Sequence, residues 1–184
     1  ALACMACEND EIVLVTPSDH LIKKEEEYKN VIAKAKELAA QDFLVTFGIT
    51  PSFAETGFGY IEGGDLYPTH VLASNVSAFS ARDVKAFHEK PDLQTATKYL
   101  EAGNYYWNSG MFCFKASVFL NELKKYSPET YSACEHAFNN ANKDNLIRIK
   151  HEDMFAIPEN SIDYAVMEKS DKVKVISSDI GWSD

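Results

Sequence analysis

Four short segments of the sequence carry polar side chains directly beside apolar, strand-like runs. They lie at residues 16–20, 87–92, 106–112 and 181–184. In an α/β scaffold, the side chains that hold a ligand stand along one rim of the sheet, where strands end. The four segments therefore predict a single ligand site, although they are far apart in the chain.

Asp19 follows a predicted buried strand, and its carboxylate is a natural hard-oxygen ligand for Mg²⁺ at such a strand end. A second interpretation is that Asp19 caps a helix, because the apolar pair Leu21 and Ile22 comes directly after it. From these residues alone, capping is the favoured alternative. Asp184 is a lone acid at the end of the sequence, which by itself indicates no more than a solvated side chain.

Glu89 and Lys90 form the sharpest signal. A carboxylate can accept paired hydrogen bonds from the hydroxyls of a sugar, and a neighbouring ammonium can neutralise a phosphate. Adjacent strand residues point to opposite faces, so both could serve one ligand only if the strand ends here, as Pro91 indicates. Asn108 interrupts an aromatic strand, and its amide must pair either with the backbone or with a ligand hydroxyl.

Glycines alternate at positions 57 and 59, which would let the backbone approach a ligand closely and expose its N–H groups. A tight hairpin explains the same two glycines. The glycine spacing therefore supports a ligand site only together with the other segments.

Composition limits the class of protein. The chain has 184 residues, 46% hydrophobic content and a formal net charge of −10, which predicts one globular domain. The negative charge argues against nucleic acid or an anionic membrane as partner, because such binding needs clustered Lys and Arg. Neither a membrane span nor a signal peptide can be recognised, so the cytoplasm is the expected location.

Four cysteines do not form a convincing framework. Cys4 and Cys7 make a C-x-x-C, which can indicate half a metal site or a redox pair, but Cys113 and Cys134 supply no matching second pair. The favoured interpretation is four reduced thiols, with Cys113 acting as a small apolar residue.

Helical and strand-like patterns alternate along the chain. The start, residues 1–7, is expected to be helical, and the apolar run 11–15 predicts a strand buried on both faces. A helix over about 23–41 should follow, and then a strand over 43–47. The predicted buried face of that helix consists of Tyr28, Ile32, Ala35 and Ala39. Further predicted elements are strands around 60–61, 84–88 and 173–176, and helices from Asp92 to about 102, from 118 to 126, from 128 to 142 and from 161 to 167.

Taken together and in this order, the segments resemble the sugar-1-phosphate nucleotidylyltransferases, over essentially the whole chain. Segments 55–61 and 161–168 are similar to the branch that uses mannose 1-phosphate and GTP. The resemblance implies a three-layer, Rossmann-like α/β fold, N-terminally truncated, with a mixed and mostly parallel sheet. Residues 1–184 would then be one partial nucleotidyltransferase catalytic domain.

The resemblance also implies a reaction. In that family an oxygen of the sugar 1-phosphate attacks the α-phosphorus of a nucleoside triphosphate, pyrophosphate leaves, and Mg²⁺ neutralises the developing charge. Here the products would be GDP-mannose and pyrophosphate. The implied roles are Mg²⁺ binding by Asp19 and Asp184, hexose binding by Gly59, Glu89 and Asn108, contact of Lys90 with the sugar phosphate, a pocket-lining position for Tyr60 and a structural hydrogen bond for His20.

One family feature is absent from the sequence. The glycine-rich, arginine-bearing loop that cradles the triphosphate is not found, so we expect the chain to be an inactive fragment of a longer transferase. The alternatives are a relative that uses another sugar or base, or a non-catalytic sugar-phosphate-binding module. If the strand at 11–15 lacks a neighbour, a bare apolar surface and a homo-oligomer are expected.

Overall fold

The computed structural model describes residues 1–8, 10–68 and 80–184. The strands are β1 (Ile12–Val15), β2 (Leu21–Ile22), β3 (Leu44–Ile49), β4 (Tyr60–Leu66), β5 (Ala81–His88), β6 (Tyr105–Lys115), β7 (Val173–Ser178) and β8 (Trp182–Ser183). The helices are α1 (Leu2–Met5), α2 (Glu25–Ala40), α3 (Leu93–Ala102), α4 (Ala116–Tyr126), α5 (Pro128–Asn139), α6 (His151–Phe155) and α7 (Asp163–Met167), the last being a π-helical turn.

The chain divides into two compact units. The first unit contains residues 1–13 and 115–170, and the second contains 14–114 and 171–184. All seven of the predicted site residues belong to the second unit. The single partial catalytic domain over residues 1–184 stays a prediction.

The large sheet is mixed, with the strand order β1-β6-β3-β7-β5-β4 and an additional pairing of β6 with β4. Strands β3 and β7 run parallel, whereas β5 and β6 run opposite to this pair. The predicted α/β class and the mixed sheet are confirmed. Antiparallel pairs take a larger share than expected, because β4 also pairs antiparallel with both β5 and β6.

Helix α2 covers the centre of this sheet. All six residues of β3 are buried, and α2 packs against β3 and β7. Its buried residues follow the i, i+3, i+4 spacing of one helix face and are Val31, Lys34, Ala35, Leu38 and Ala39. The predicted helix and two of its predicted core residues are thus confirmed, whereas Tyr28 and Ile32 lie at the border of the buried face.

Strand β1 is not buried on both faces, contrary to expectation. Leu14 is 39% exposed and Val15 is 37% exposed. Among the strands of the described residues, β1 stands at one end of the strand order with a neighbour on one side, so its side chains are less covered than those of a central strand. Two apolar side chains of β1 are therefore partly exposed, and the expected bare apolar surface stays a prediction.

Local signals placed several helices correctly. Asp92 accepts a hydrogen bond from the backbone N–H of Thr95 at 2.8 Å, which caps α3 as predicted, and Gly103 ends that helix in the left-handed conformation. In the first unit, α4 packs against α1, α5 and α7. Helix α5 begins at Pro128, where proline is favoured because its missing N–H would have no helical partner.

All four cysteines are free thiols. Burial raises the pKa of Cys113 to about 11 and also raises the pKa of Cys4. A buried, protonated thiol is a poor nucleophile, so Cys113 behaves as the small apolar residue that the sequence indicated. Within the described ranges, none of the helices is long and apolar enough to span a bilayer.

Candidate active site

Two very short strands bring the ends of the second unit together. β2 pairs antiparallel with β8, with Leu21 opposite Ser183 and Ile22 opposite Trp182. The next step of this register puts His20 opposite Asp184, and Asp19 directly precedes His20 in the chain. The alternative in which Asp19 caps a helix is wrong, because α2 begins only at Glu25.

A glycine turn leads into β8. Gly181 has φ +63, and its carbonyl accepts the N–H of Lys23 at 3.3 Å. Lys24 forms an ion pair with Asp179 at 2.6 Å, and this hydrogen bond lowers the pKa of Asp179. The turn is therefore tied to the chain that follows β2, which holds β8 in register.

Asp19, His20 and Asp184 form a compact cluster of metal-ligating side chains. One potential ligand atom from each lies within 4.8 Å of the others. The side chain of Asp184 is 47% exposed, whereas that of His20 is 12% exposed, with its Nε2 at 3.3 Å from Oδ1 of Asp184. Two accessible carboxylates this close together are suited to a hard divalent cation. We call Asp19 and Asp184 the carboxylate pair.

The other face of His20 is occupied by Trp182. The indole Nε1 donates a hydrogen bond to His20 Nδ1 at 3.0 Å, and the two rings meet edge to face at a centroid distance of 5.2 Å. The sequence placed Trp182 beside Asp184 but contained no signal for this hydrogen bond.

Gly59, Glu89 and Asn108, the predicted hexose-binding residues, come together. The backbone N–H of Asn108 donates to the carbonyl of Gly59 at 2.8 Å. A Cβ added to Gly59 would lie 3.1 Å from Oε2 of Glu89 and 3.7 Å from Cβ of Asn108. We call these three residues the Gly59 cluster, in which a side chain at position 59 would crowd the carboxylate of Glu89.

An irregularity in β6 orients Asn108. The register between β3 and β6 shifts between Thr46 and Gly48, and Gly110 has φ +66. Such bulges redirect side chains and are common beside active sites. Asn108 Oδ1 accepts the N–H of Gly110 at 3.1 Å, so the backbone pairs with the amide oxygen, one of the two predicted alternatives. Pro17 lies against Gly110, which connects the loop carrying Asp19 to β6.

Glu89 and Lys90 lie just past the end of β5, which stops at His88, so the expected end of the strand is confirmed. Both side chains are exposed. Lys90 has φ +39, an unusual conformation for a residue with a side chain, and such strain is typical of functional sites.

Tyr60 does not line an open pocket. It is fully buried, and its hydroxyl donates to the carbonyl of Glu55 at 2.8 Å and accepts the N–H of Glu55 at 3.0 Å. Oε1 of Glu55 in turn accepts the N–H of Gly57 at 2.7 Å. The structure thus gives Tyr60 a supporting role, which is to hold the glycine loop that carries Gly59.

Phe58 connects the two parts of the candidate site. Its ring meets Trp182 at a centroid distance of 5.3 Å and Trp107 at 5.5 Å, both edge to face. Trp182 neighbours the carboxylate pair, and Trp107 precedes Asn108 in β6. Phe58 was not among the predicted site residues, because an aromatic residue between two glycines has no distinctive chemistry in a sequence.

The α/β unit carries carboxylate and amide side chains at its strand ends. The sequence of the whole chain matches a known protein family. The nucleotidyl transferase family model covers residues 1–184, and the chain belongs to this family. The predicted resemblance is therefore confirmed.

Individual proteins show which members of the family this chain is similar to. The chain is 47% identical over 176 residues to mannose-1-phosphate guanylyltransferase RfbM of Salmonella typhimurium, covering 95% of this chain and 35% of that protein. It is 39% identical to the solved structure of mannose-6-phosphate isomerase from Helicobacter pylori, with a TM-score of 0.84 and coverage of 100% and 68% of the two chains. It is 30% identical to mannose-1-phosphate geranyltransferase from Thermus thermophilus, with a TM-score of 0.76 and coverage of 94% and 46%.

Proposed function

We propose that the whole protein transfers the guanylyl group of GTP to mannose 1-phosphate, giving GDP-mannose and pyrophosphate. One observation carries the proposal. The β2–β8 pairing accompanies the close approach of Asp19 and Asp184, and Phe58, the neighbour of Gly59 in the chain, packs against Trp182 beside this pair. The names of the guanylyltransferase relatives support the choice of substrates. The chain spans 35% to 38% of the length of these relatives.

The Gly59 cluster would bind the hexose. Glu89 is exposed and close to the bare backbone of Gly59, so its carboxylate can accept hydrogen bonds from two sugar hydroxyls. Lys90 follows it and would neutralise the sugar phosphate, which a protein with a net charge of −10 must do locally. Tyr60 would act indirectly, by holding the loop.

The carboxylate pair would hold Mg²⁺. Its donor set fits, because both groups are hard oxygen ligands, both are exposed, and their oxygens are close enough to share one ion. When bound, the ion would neutralise charge on the reacting phosphates. The protein's own contribution would be to hold one acid directly after β8 and the other on the loop before β2, so that both are in place before the reaction.

Two alternatives remain to be separated by experiment. A relative that uses another sugar or nucleotide would have the same carboxylate pair, and a non-catalytic module would have the Gly59 cluster without turnover. The similarity to a mannose-6-phosphate isomerase adds isomerisation as a further activity to be assayed. The cytoplasmic location and a homo-oligomer stay predictions.

The test uses the full-length protein with GTP and mannose 1-phosphate, and measures pyrophosphate release and GDP-mannose formation. Asp19→Asn and Asp184→Asn should each lower kcat/KM by about 100-fold or more, as expected when charge stabilisation of a transition state is lost. The control is Asp171→Asn, since Asp171 is an exposed acid of the same unit outside the site. Sugar-phosphate binding without turnover, or isomerisation of mannose 6-phosphate without pyrophosphate release from GTP, would contradict the proposal.

A further inference from the structure

Trp182, His20 and Asp184 form a continuous chain of polar contacts: a hydrogen bond from Trp182 to His20, and a close approach of His20 to Asp184. Nε1 of Trp182 lies 3.0 Å from Nδ1 of His20, and Nε2 of His20 lies 3.3 Å from Oδ1 of Asp184. His20 is the most buried member of its cluster, with a side chain that is 12% exposed. A histidine with both ring nitrogens engaged in this way has a defined orientation.

The direction of the first hydrogen bond determines the tautomer. An indole N–H is a donor only, so Nδ1 of His20 must be the acceptor and carries no proton. The neutral imidazole then carries its proton on Nε2, where it can donate to the carboxylate of Asp184. The edge-to-face contact between the two rings supports the orientation in which the imidazole accepts from Trp182 and turns Nε2 toward Asp184.

This arrangement leaves His20 without a nitrogen lone pair for a metal. The lone pair on Nδ1 accepts from Trp182, and Nε2 bears the proton. His20 is therefore not a third ligand, although its ring lies within 4.8 Å of both carboxylates. Its contact is with Asp184, which directly follows a two-residue strand. Because the Asp184 side chain is 47% exposed, the nearby Nε2 of His20 can restrict its orientation.

We propose that His20 is a positioning residue: Trp182 holds it as the Nε2–H tautomer, and that N–H orients the carboxylate of Asp184 for the metal. The inference rests on the proposed function, because it presumes that Asp184 is a metal ligand. Groups that orient a ligand in this way commonly contribute about 10- to 100-fold to metal affinity.

The first measurement reads the tautomer in the protein without metal. Long-range ¹H–¹⁵N NMR correlations of the histidine rings report which nitrogen is protonated, and His20→Gln identifies the signals of His20. We expect the Nε2–H tautomer in the wild type and a mixture of tautomers in Trp182→Phe. The control is Phe58→Leu, which alters the packing against Trp182 but leaves its N–H in place and should preserve the tautomer.

The second measurement is the affinity for Mn²⁺, read from the electron paramagnetic resonance of the free ion. A glutamine amide can accept from Trp182 and donate to Asp184, whereas leucine can do neither. We therefore expect His20→Leu to weaken Mn²⁺ binding by about 10-fold, and His20→Gln to stay within about 3-fold of the wild type. Melting temperatures of both variants show that each is folded.

Equal losses in His20→Gln and His20→Leu would overturn the inference, as would loss of the Nε2 proton signal when a diamagnetic divalent cation binds. The latter result would make His20 a ligand. The proposed function fails separately, if Asp19→Asn leaves Mn²⁺ affinity unchanged. In that case the tautomer of the metal-free protein still shows whether Trp182 controls His20.

Discussion

The substitution Gly59→Ala tests the hexose site directly, because it adds one methyl group where a ligand should lie. The added Cβ would meet Oε2 of Glu89 at 3.1 Å and Cβ of Asn108 at 3.7 Å. Gly59 has no left-handed backbone angle, and the nearest atom is the end of an exposed side chain that can move aside. We expect the free energy of unfolding to change by less than about 1 kcal/mol.

Ligand binding should change much more. The methyl group would displace Glu89 or fill the space through which a hexose hydroxyl reaches it. A hydrogen bond to a charged group contributes about 1.5–3 kcal/mol, so its loss corresponds to about 10- to 150-fold weaker binding of mannose 1-phosphate.

The assay is calorimetric titration of the protein with mannose 1-phosphate, together with the melting temperature. Gly57→Ala is a matched control in the same loop, since its added Cβ also lies 3.1 Å from a carboxylate oxygen, that of Glu55. This control should bind the sugar phosphate as the wild type does. Unchanged affinity in Gly59→Ala, or an equal loss in both variants, would show that the Gly59 cluster does not hold the hexose.

Three further predictions concern other parts of the chain. Glu89→Gln should raise the KM for mannose 1-phosphate by about 10-fold or more, whereas Glu101→Gln, on the exposed end of α3, should not; equal KM values would remove Glu89 from the site. Gly181→Ala should lower the free energy of unfolding by about 1–2 kcal/mol and weaken Mn²⁺ binding, because its φ is +63 and its turn leads into β8, which Asp184 directly follows. Gly103→Ala, with φ +73 and nothing within 4 Å of the added Cβ, should show the loss of stability without the loss of Mn²⁺ binding. The thiol of Cys113 loses its proton from about pH 9 in the unfolded chain and only near pH 11 in the folded protein. The stability that the protonated thiol contributes is therefore full below pH 9 and is lost as the pH rises to about 11. In denaturant titrations, the free energy of unfolding of Cys113→Ala should fall less steeply with alkaline pH than that of the wild type.

Much of the fold could be predicted from the sequence, because it rests on local patterns. Apolar residues at helical spacing predicted α2. Asp92, followed by a helical pattern, predicted the start of α3. Such signals act over one or two turns of chain. The burial of β1 was mispredicted for the same reason, since its apolar residues are identical whether a strand has one neighbour or two.

The residue types of the candidate site could also be predicted, but not all of their roles. An aspartate before two apolar residues favoured a helix cap over a metal ligand, and the cap was excluded only because α2 begins at Glu25. Tyr60 was expected at the ligand, and its burial shows that it supports the loop instead.

By itself, the sequence determined which chemistry is available: carboxylates, one lysine and an amide beside strand ends, in an order typical of one family. Only the tertiary structure decided which of these groups meet. β2 and β8 have two residues each, too few for any periodic signal, and 162 residues separate Trp182 from the histidine that it contacts. A contact at that distance depends on how the whole intervening sheet folds, so local propensity cannot specify it.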